Sequence, residues 1–203
     1  MRRARDSGPP NRPNSVPPMP DLVGRRVRAR LARLSDAGPL LTFHIRNRKH
    51  LDPWAPPIPE DFLTIGYWQR WTSAAKPLFD QDRSVRLVVY LRQDDATLIG
   101  QINFSQIHRG AMGACTVGYQ IDQAMEGQGL MAEGLRLAVG YMFKAYGLHR
   151  VVATYMPENR RSAVLLRRRG FEVEGYAREF LFINGAWRDH VLTALIRPED
   201  AND

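Results

Sequence analysis

Val117-Gly118-Tyr119-Gln120-Ile121-Asp122-Gln123-Ala124-Met125-Glu126-Gly127-Gln128-Gly129-Leu130-Met131 decides how this chain reads. Val117, Tyr119 and Ile121 alternate as in a half-buried strand. A polar segment, Asp122 to Glu126, leads to two glycines. Beyond them Met131, Leu135, Ala138, Val139, Met142, Phe143 and Tyr146 recur on one helical face, and Gly147 stops the helix. The pattern is strand, glycine turn, helix. Glycine lets a ligand approach backbone without a Cβ in the way. The free N–H groups of a helix start and its dipole suit phosphate or pyrophosphate. An ordinary tight turn is the competing reading. The spacing is neither the dinucleotide fingerprint nor a P-loop.

Outward from this stretch, strands are expected at Ala114–Asp122, Leu98–Ile107 and Ser84–Arg92 on its N-terminal side. Before them come an edge strand within Val23–Leu34, a helix from Ser35 to Arg48 with Ser35 and Asp36 as cap candidates, and a helix from Glu60 to Lys76. A rigid break, Pro53 to Pro59, separates the two helices and carries Trp54. That loop is read either as a wall for an acceptor or as a core plug. On the C-terminal side follow strand Arg150–Met156, helix Asn159–Arg169, and strands Phe171–Ile183 and Ala186–Arg197. Asn184-Gly185 between the last two is a two-residue hairpin turn. The fold class is α/β (α+β), a single domain over residues 21–199 with a mixed, twisted sheet of about seven strands and four helices. Residues 1–20, with six prolines and little apolar content, read as a disordered arm.

The chain of 203 residues carries a net charge of +8, which favours a polyanionic partner or simply aids solubility. One cysteine, Cys115, excludes an internal disulfide and fits a reducing compartment, hence the cytoplasm. No apolar run is long enough to cross a membrane, and no secretory signal is expected at the basic N-terminus. No metal-ligating set is expected.

The turn resembles the pyrophosphate loop Q/R-x-x-G-x-G/A of the GCN5-related N-acetyltransferases, with Glu126, Gly129 and Met131 in the three marked places. Glu126 and Met131 depart from that general pattern. Other stretches are similar to the ribosomal-protein-alanine N-acetyltransferase branch, which resembles G-x-G-L-M at the turn. They are Asn47-Arg48-Lys49-His50-Leu51-Asp52-Pro53-Trp54-Ala55-Pro56, Asn103-Phe104-Ser105 with Arg109-Gly110, Asn159-Arg160-Arg161-Ser162, Gly170-Phe171-Glu172-Val173-Glu174-Gly175-Tyr176 and Trp187 to Leu195. The resemblance spans about residues 22–197. It implies a mixed α/β domain that binds acetyl-coenzyme A through Ile121, Glu126, Gly127, Gln128, Gly129, Leu130, Met131 and Asn159. It implies acetyl transfer to a protein N-terminus, alanine first, on a small-subunit ribosomal protein, with the basic surface free to contact ribosome or ribosomal RNA. A small-molecule or antibiotic acetyltransferase and a non-catalytic ribosome-associated factor are the alternatives.

Such a reaction needs a proton removed from an amine and help for a departing thiolate. Ser162, at the third position of its helix, either donates to the sulfur or caps the helix. Arg160 and Arg161 in the same first turn face either an anionic ligand or solvent. If Ile183 pairs with Ala186, Glu179 stands opposite His190. The two form either a proton-accepting pair or a surface cross-strand pair, with Asp189 on the other face. An α-amine, roughly one-sixth neutral at pH 7, needs little help; a lysine, roughly one part in 2,500, needs much. Cys115 reads as a buried structural thiol in preference to an acetyl-accepting one.

Overall fold

The computed structural model describes residues 17–198. Its strands are β1 (Asp21–Val23), β2 (Val27–Leu31), β3 (Val85–Leu91), β4 (Asp94–His108), β5 (Ala114–Ile121), β6 (Arg150–Tyr155), β7 (Glu172–Ile183) and β8 (Ala186–Ile196). They form one sheet in the order β1-β2-β3-β4-β5-β6-β8-β7. The helices are α1 (Ala37–Leu51), α2 (Ile65–Ser73), α3 (Ala75–Asp80), α4 (Leu130–Lys144) and α5 (Arg160–Arg168). The expected single mixed α/β domain is present. The expected first strand is two, because Gly24 N–H bonds Val27 O at 2.8 Å and turns the chain between them. This gives eight strands where about seven were expected.

Covering both faces of the sheet explains the burial of β3. Its run Val85, Leu87, Val88, Val89 and Tyr90 is buried on both sides, as a strand in the middle of a layered domain must be. α1 and α3 pack on the sheet at β4 and β3, while α4 lies across β2 and β4. Leu135, Ala138 and Met142 of α4 are fully buried, so the 3.6-residue periodicity was a true measure of that face.

Two helix boundaries differ from expectation. Asp36 does not cap α1 with its side chain. Its buried carboxylate accepts two bonds from Arg30 at 2.7 Å, the Arg33 N–H at 2.7 Å and the Tyr90 hydroxyl at 2.7 Å. Burial pushes the Asp36 carboxyl up, but those donors outweigh it and hold it below the usual carboxylate value. The helix expected over Glu60–Lys76 starts later, where the Thr64 hydroxyl accepts from Tyr67 N–H at 3.3 Å, and it divides into α2 and α3. Pro77 has no N–H to give to the preceding turn.

The arm expected over residues 1–20 falls mostly outside the described residues. Its last part, Pro17 to Pro20, is seated on the domain. Pro17 and Pro20 are buried. The Tyr141 hydroxyl of α4 donates to Pro18 O at 2.8 Å, and Leu31 N–H donates to Pro20 O at 3.1 Å.

The feature that shapes the site is the one parallel pairing among the described residues. β5 meets β6 only over Ala114–Thr116 against Arg150–Val152. β5 runs on to Ile121 while β6 stays with β8 as far as Tyr155. The sheet therefore opens between β5 and β6 beyond Thr116.

Candidate active site

The glycine turn closes one end of that opening. Gly127 and Gly129 adopt φ of +70° and +73°, a left-handed conformation that costs other residues about 1–2 kcal/mol. A Cβ on Gly127 would meet no protein atom within 4 Å, so the backbone there faces open space. No side chain caps α4, and the first N–H of the helix to bond back is that of Glu133, to Gly129 O at 3.1 Å. The earlier N–H groups at Leu130, Met131 and Ala132 are left to point along the helix axis. Leu130 and Met131 have buried side chains, so only their backbone can serve a ligand. Ile121 ends β5 and leans on the core edge.

Several side chains hold this turn in place. Arg26 donates to Gln128 O at 2.8 Å and pairs with Glu133. Gln128 Nε2 donates back to Ala124 O at 3.1 Å. Asp122 is buried and accepts from Arg46, from Asn47 Nδ2 at 3.1 Å and from Ala124 N–H at 2.9 Å. Asn47 Oδ1 accepts the Gln123 N–H at 2.9 Å. Burial raises the Asp122 carboxyl, but these donors outweigh it and hold it below its ordinary value. Asn47 opened a sequence motif; its work is to fasten α1 to the segment before the glycines. Arg46 and Asp122 were missed as site residues, since an ion pair across 76 positions leaves no local signal.

Glu126 answers the question posed by the first-turn arginines. Its carboxylate lies 2.8 Å from Arg161 Nη1 and 3.0 Å from His50 Nε2. The Arg161 guanidinium offsets the negative charge of this carboxylate beside the turn. Arg160 is exposed.

On the far side of the opening, Asn159 caps α5, accepting the Ser162 N–H at 3.1 Å. The Ser162 side chain is thereby freed from capping. Its Oγ lies 2.6 Å from the Tyr119 hydroxyl of β5. Burial pushes the Tyr119 phenol up to about 12, against a lowering by the Ser162 bond. Tyr119 therefore keeps its proton at neutral pH. It read in the sequence only as an apolar position of a strand.

The pairing expected of Glu179 and His190 does not occur. Ile183 does pair with Ala186, and the turn has positive φ at Asn184 (+47°) and Gly185 (+76°). Register then breaks: Leu181 faces Arg188, but Ala177, not Glu179, faces His190. Residues 178–180 bulge, with Glu179 at φ +49°. The Asp189 carboxylate stabilises the bulge by accepting the Glu179 N–H at 2.8 Å and the Tyr176 hydroxyl at 2.6 Å. Glu179 is exposed, while His190 is buried with Nδ1 3.1 Å from Arg188 O. Cys115 is 1% exposed, and burial pushes its thiol up to about 12, which leaves it unreactive.

A cavity of about 210 Å³ lies on the opposite face of β5 from Tyr119. The loop Pro56 to Pro59 forms its rim, and Phe62, Tyr67, Trp68, Gln101 and Gln120 line it. His44, also on the wall, stacks on Trp68 at 4.5 Å and 15°. Burial pushes its imidazole down to about 4. Among the described residues no cluster of His, Cys, Asp or Glu could hold a metal ion, and no helix is long and apolar enough to cross a membrane.

Residues 26–172 match the family model described as "Acetyltransferase (GNAT) domain". The chain belongs to the GNAT acetyltransferases. Among GNAT relatives, the [Ribosomal protein uS5]-alanine N-acetyltransferase of Escherichia coli is 40% identical over 178 residues, covering 88% of this chain and 91% of the relative. The crystal structure of a ribosomal-protein-S5-alanine acetyltransferase from Vibrio fischeri superposes with a TM-score of 0.84 at 34% identity, covering 91% of this chain and all of that one. Mycobacterium smegmatis RimJ in complex with CoA-disulfide also gives a TM-score of 0.84, at 29% identity, over 92% of this chain and 94% of that one.

Proposed function

We propose that this GNAT enzyme transfers acetyl from acetyl-coenzyme A to the N-terminal α-amino group of a protein, alanine preferred, the acceptor being the small-subunit ribosomal protein that names its relatives. The residues present fit the donor. Its pyrophosphate suits the uncapped start of α4 and the backbone of Gly127 to Met131, where each charged hydrogen bond is worth roughly 1.5–3 kcal/mol. Its arm suits the opening between β5 and β6. When bound, acetyl-coenzyme A supplies an activated acetyl thioester.

Tyr119 and Ser162 then lie at one wall of the opening, with a shared proton to pass toward a departing sulfur. Ser162 passes its proton to the departing sulfur as Tyr119 passes its own to Ser162, and the phenol regains from solvent the proton that the amine gives up, so the net transfer is from amine to sulfur. Asn159 frees Ser162 for that role by taking the cap position. Glu179 and His190 are separate groups, and neither is asked to act with the other.

The observation that carries the choice of amine is the likeness to alanine N-acetyltransferases at 40% and 34% identity over most of the chain. The His44 imidazole on the cavity wall, pushed down to about 4 by burial, offers no strong base for a lysine ammonium. An α-amine, already roughly one-sixth neutral at pH 7, matches such a site. The charge of +8, with Arg160, Arg167 and Arg168 exposed on α5, suits an acceptor presented beside RNA in the cytoplasm.

Three acceptors assayed with labelled acetyl-coenzyme A test the reading. They are a peptide with free N-terminal alanine, the same peptide blocked but carrying lysines, and an aminoglycoside. Label on either of the last two, with none on the first, overturns it. Comparing free acceptor protein with assembled subunits tests the RNA contact; equal rates with equal salt dependence refute it.

A further inference from the structure

Two side-chain bridges join the banks of the opening between β5 and β6. The inner one is the bond of Tyr119 on β5 to Ser162 on α5. The outer one joins Glu126, which follows β5, to Arg161 in the first turn of α5, which follows β6. Glu126 Oε2 lies 2.8 Å from Arg161 Nη1. The other carboxylate oxygen lies 3.0 Å from Nε2 of His50, near the end of α1. The two halves of the outer bridge are unlike. The Glu126 side chain is 19% exposed and lies between two partners, whereas the Arg161 side chain is 71% exposed. Glu126 is therefore the anchored half and Arg161 the half that can swing. An ion pair with one partner this exposed is weak, and an exposed side chain changes rotamer quickly. Glu126 immediately precedes Gly127, where a Cβ would meet no protein atom within 4 Å. The unbonded N–H groups at the start of α4 follow. A guanidinium released by Glu126 thus has an anion-binding turn beside it.

We propose that Glu126 and Arg161 form a clasp over the opening, and that Arg161 exchanges Glu126 for a phosphate of the donor. The pair then selects thioesters that carry phosphate over those that consist of the arm alone. The inference rests on the placement of the donor argued above, pyrophosphate at the turn and arm between β5 and β6, and deepens it by giving two residues a specificity role. Charge is matched at each stage. In the free protein the Arg161 guanidinium faces the Glu126 carboxylate. With the donor in place it faces phosphate, and Glu126 keeps its contact with His50. A phosphate-free arm has nothing to offer Arg161, so it enters against the intact ion pair. A carboxylate that only repelled phosphate would disfavour the charged donor and be indifferent to the neutral arm. The clasp instead penalises the neutral arm.

The test compares two probes, coenzyme A and pantetheine, the second having the arm and thiol but no phosphate. Binding to the wild type, Glu126→Gln, Arg161→Met and the double variant is followed through amide shifts in NMR titrations, with melting as the check on folding. Each single variant is expected to bind pantetheine about three- to fivefold more tightly than the wild type. The double variant gains no more than the better single one, because both substitutions break the same interaction. Coenzyme A is expected to bind more tightly to Glu126→Gln and about tenfold more weakly to Arg161→Met, which loses a charged hydrogen bond to phosphate. Pantetheine affinity unchanged in both single variants overturns the proposal; with tighter coenzyme A binding in Glu126→Gln, it makes Glu126 a simple repeller of phosphate. Unchanged coenzyme A affinity in Arg161→Met overturns the exchange as well. If the amides from Gly127 to Met131 shift with coenzyme A while the affinities fail to respond as stated, the donor placement stands and the clasp falls. If coenzyme A moves none of those amides in any of the proteins, the placement falls and the clasp with it. No acceptor is present in these titrations, so acetylation of lysine in place of an N-terminal amine would refute the acceptor reading and leave the clasp standing.

Discussion

The Tyr119 hydroxyl and Ser162 Oγ, 43 positions apart in sequence, stand 2.6 Å from each other across the opening in the sheet. The Asn159 cap removes the competing role of Ser162, and burial keeps Tyr119 protonated with its pKa raised to about 12. Ser162→Ala and Tyr119→Phe are each expected to lower kcat by about 10- to 100-fold. Donor affinity should change less than about threefold, since neither group is assigned to the phosphates. The double variant should be scarcely worse than the worse single one, because the two share a proton path. Steady-state kinetics with calorimetry of donor binding decides it. Unaltered kcat in both variants would reduce the pair to packing.

Gly129→Val should weaken acetyl-coenzyme A binding by more than about tenfold. A Cβ there sits at φ +73° and 3.4 Å from Arg26 Nη2, the side chain that holds Gln128 O. The strain of about 1–2 kcal/mol falls on the turn and leaves the core intact. Calorimetric titration beside a thermal melt separates the two effects. Wild-type affinity in a folded variant would place the donor elsewhere.

Asn47→Leu removes the acceptor of Gln123 N–H and one donor to Asp122. A buried unmet group costs about 1–3 kcal/mol. For a chain of this size the midpoint should fall by about 2–4 °C for each of those kcal/mol. Donor affinity should fall with it, because the segment before the glycines loses its anchor on α1. A drop in stability with unchanged donor affinity would show that the turn holds its shape without Asn47.

His44 makes stability depend on pH in a defined window. Its folded pKa is lowered from 6.5 to about 4 by burial. Above pH 6.5 both states hold a neutral ring and the contribution is intact. As pH falls through 6.5 the unfolded chain takes up a proton that the folded ring refuses, and stability is lost until about pH 4. The loss amounts to about 3 kcal/mol. His44→Gln should flatten the denaturation midpoint between pH 6.5 and 4. Carboxylates such as Asp122, whose folded pKa is lowered, act in a lower range. Their contribution is present above the ordinary carboxylate value and fades as pH falls below it. An unchanged slope in the variant would mean that the ring does not remain neutral.

Removal of residues 1–20 should lower the melting midpoint by several degrees. The Tyr141 hydroxyl loses Pro18 O, and Leu31 N–H loses Pro20 O. Tyr141→Phe in the full chain should reproduce part of that loss in isolation, about 1 kcal/mol. An unchanged midpoint on truncation would make the contacts of Pro18 and Pro20 dispensable.

The sequence by itself determined the features governed by neighbours along the chain. The 3.6-residue repeat of Leu135, Ala138 and Met142 made α4, the two glycines made the turn before it, and Asn184-Gly185 made the hairpin. Motifs at separated places carried the family. Tertiary structure decided what depends on partners distant in sequence. The segment from Asp122 is held by Arg46 and Asn47 on α1, far back in the chain, and Glu126 is balanced by Arg161 from α5. Tyr119 becomes a polar site residue only because β5 and β6 part beyond Thr116 and let α5 reach it. Period-2 counting from Ile183 and Ala186 put Glu179 opposite His190, but the Asp189 carboxylate captured the Glu179 N–H and shifted the register. Strand alternation is a local rule; a bulge stabilised by a cross-strand side chain breaks it, and nothing in the alternation itself reports the break.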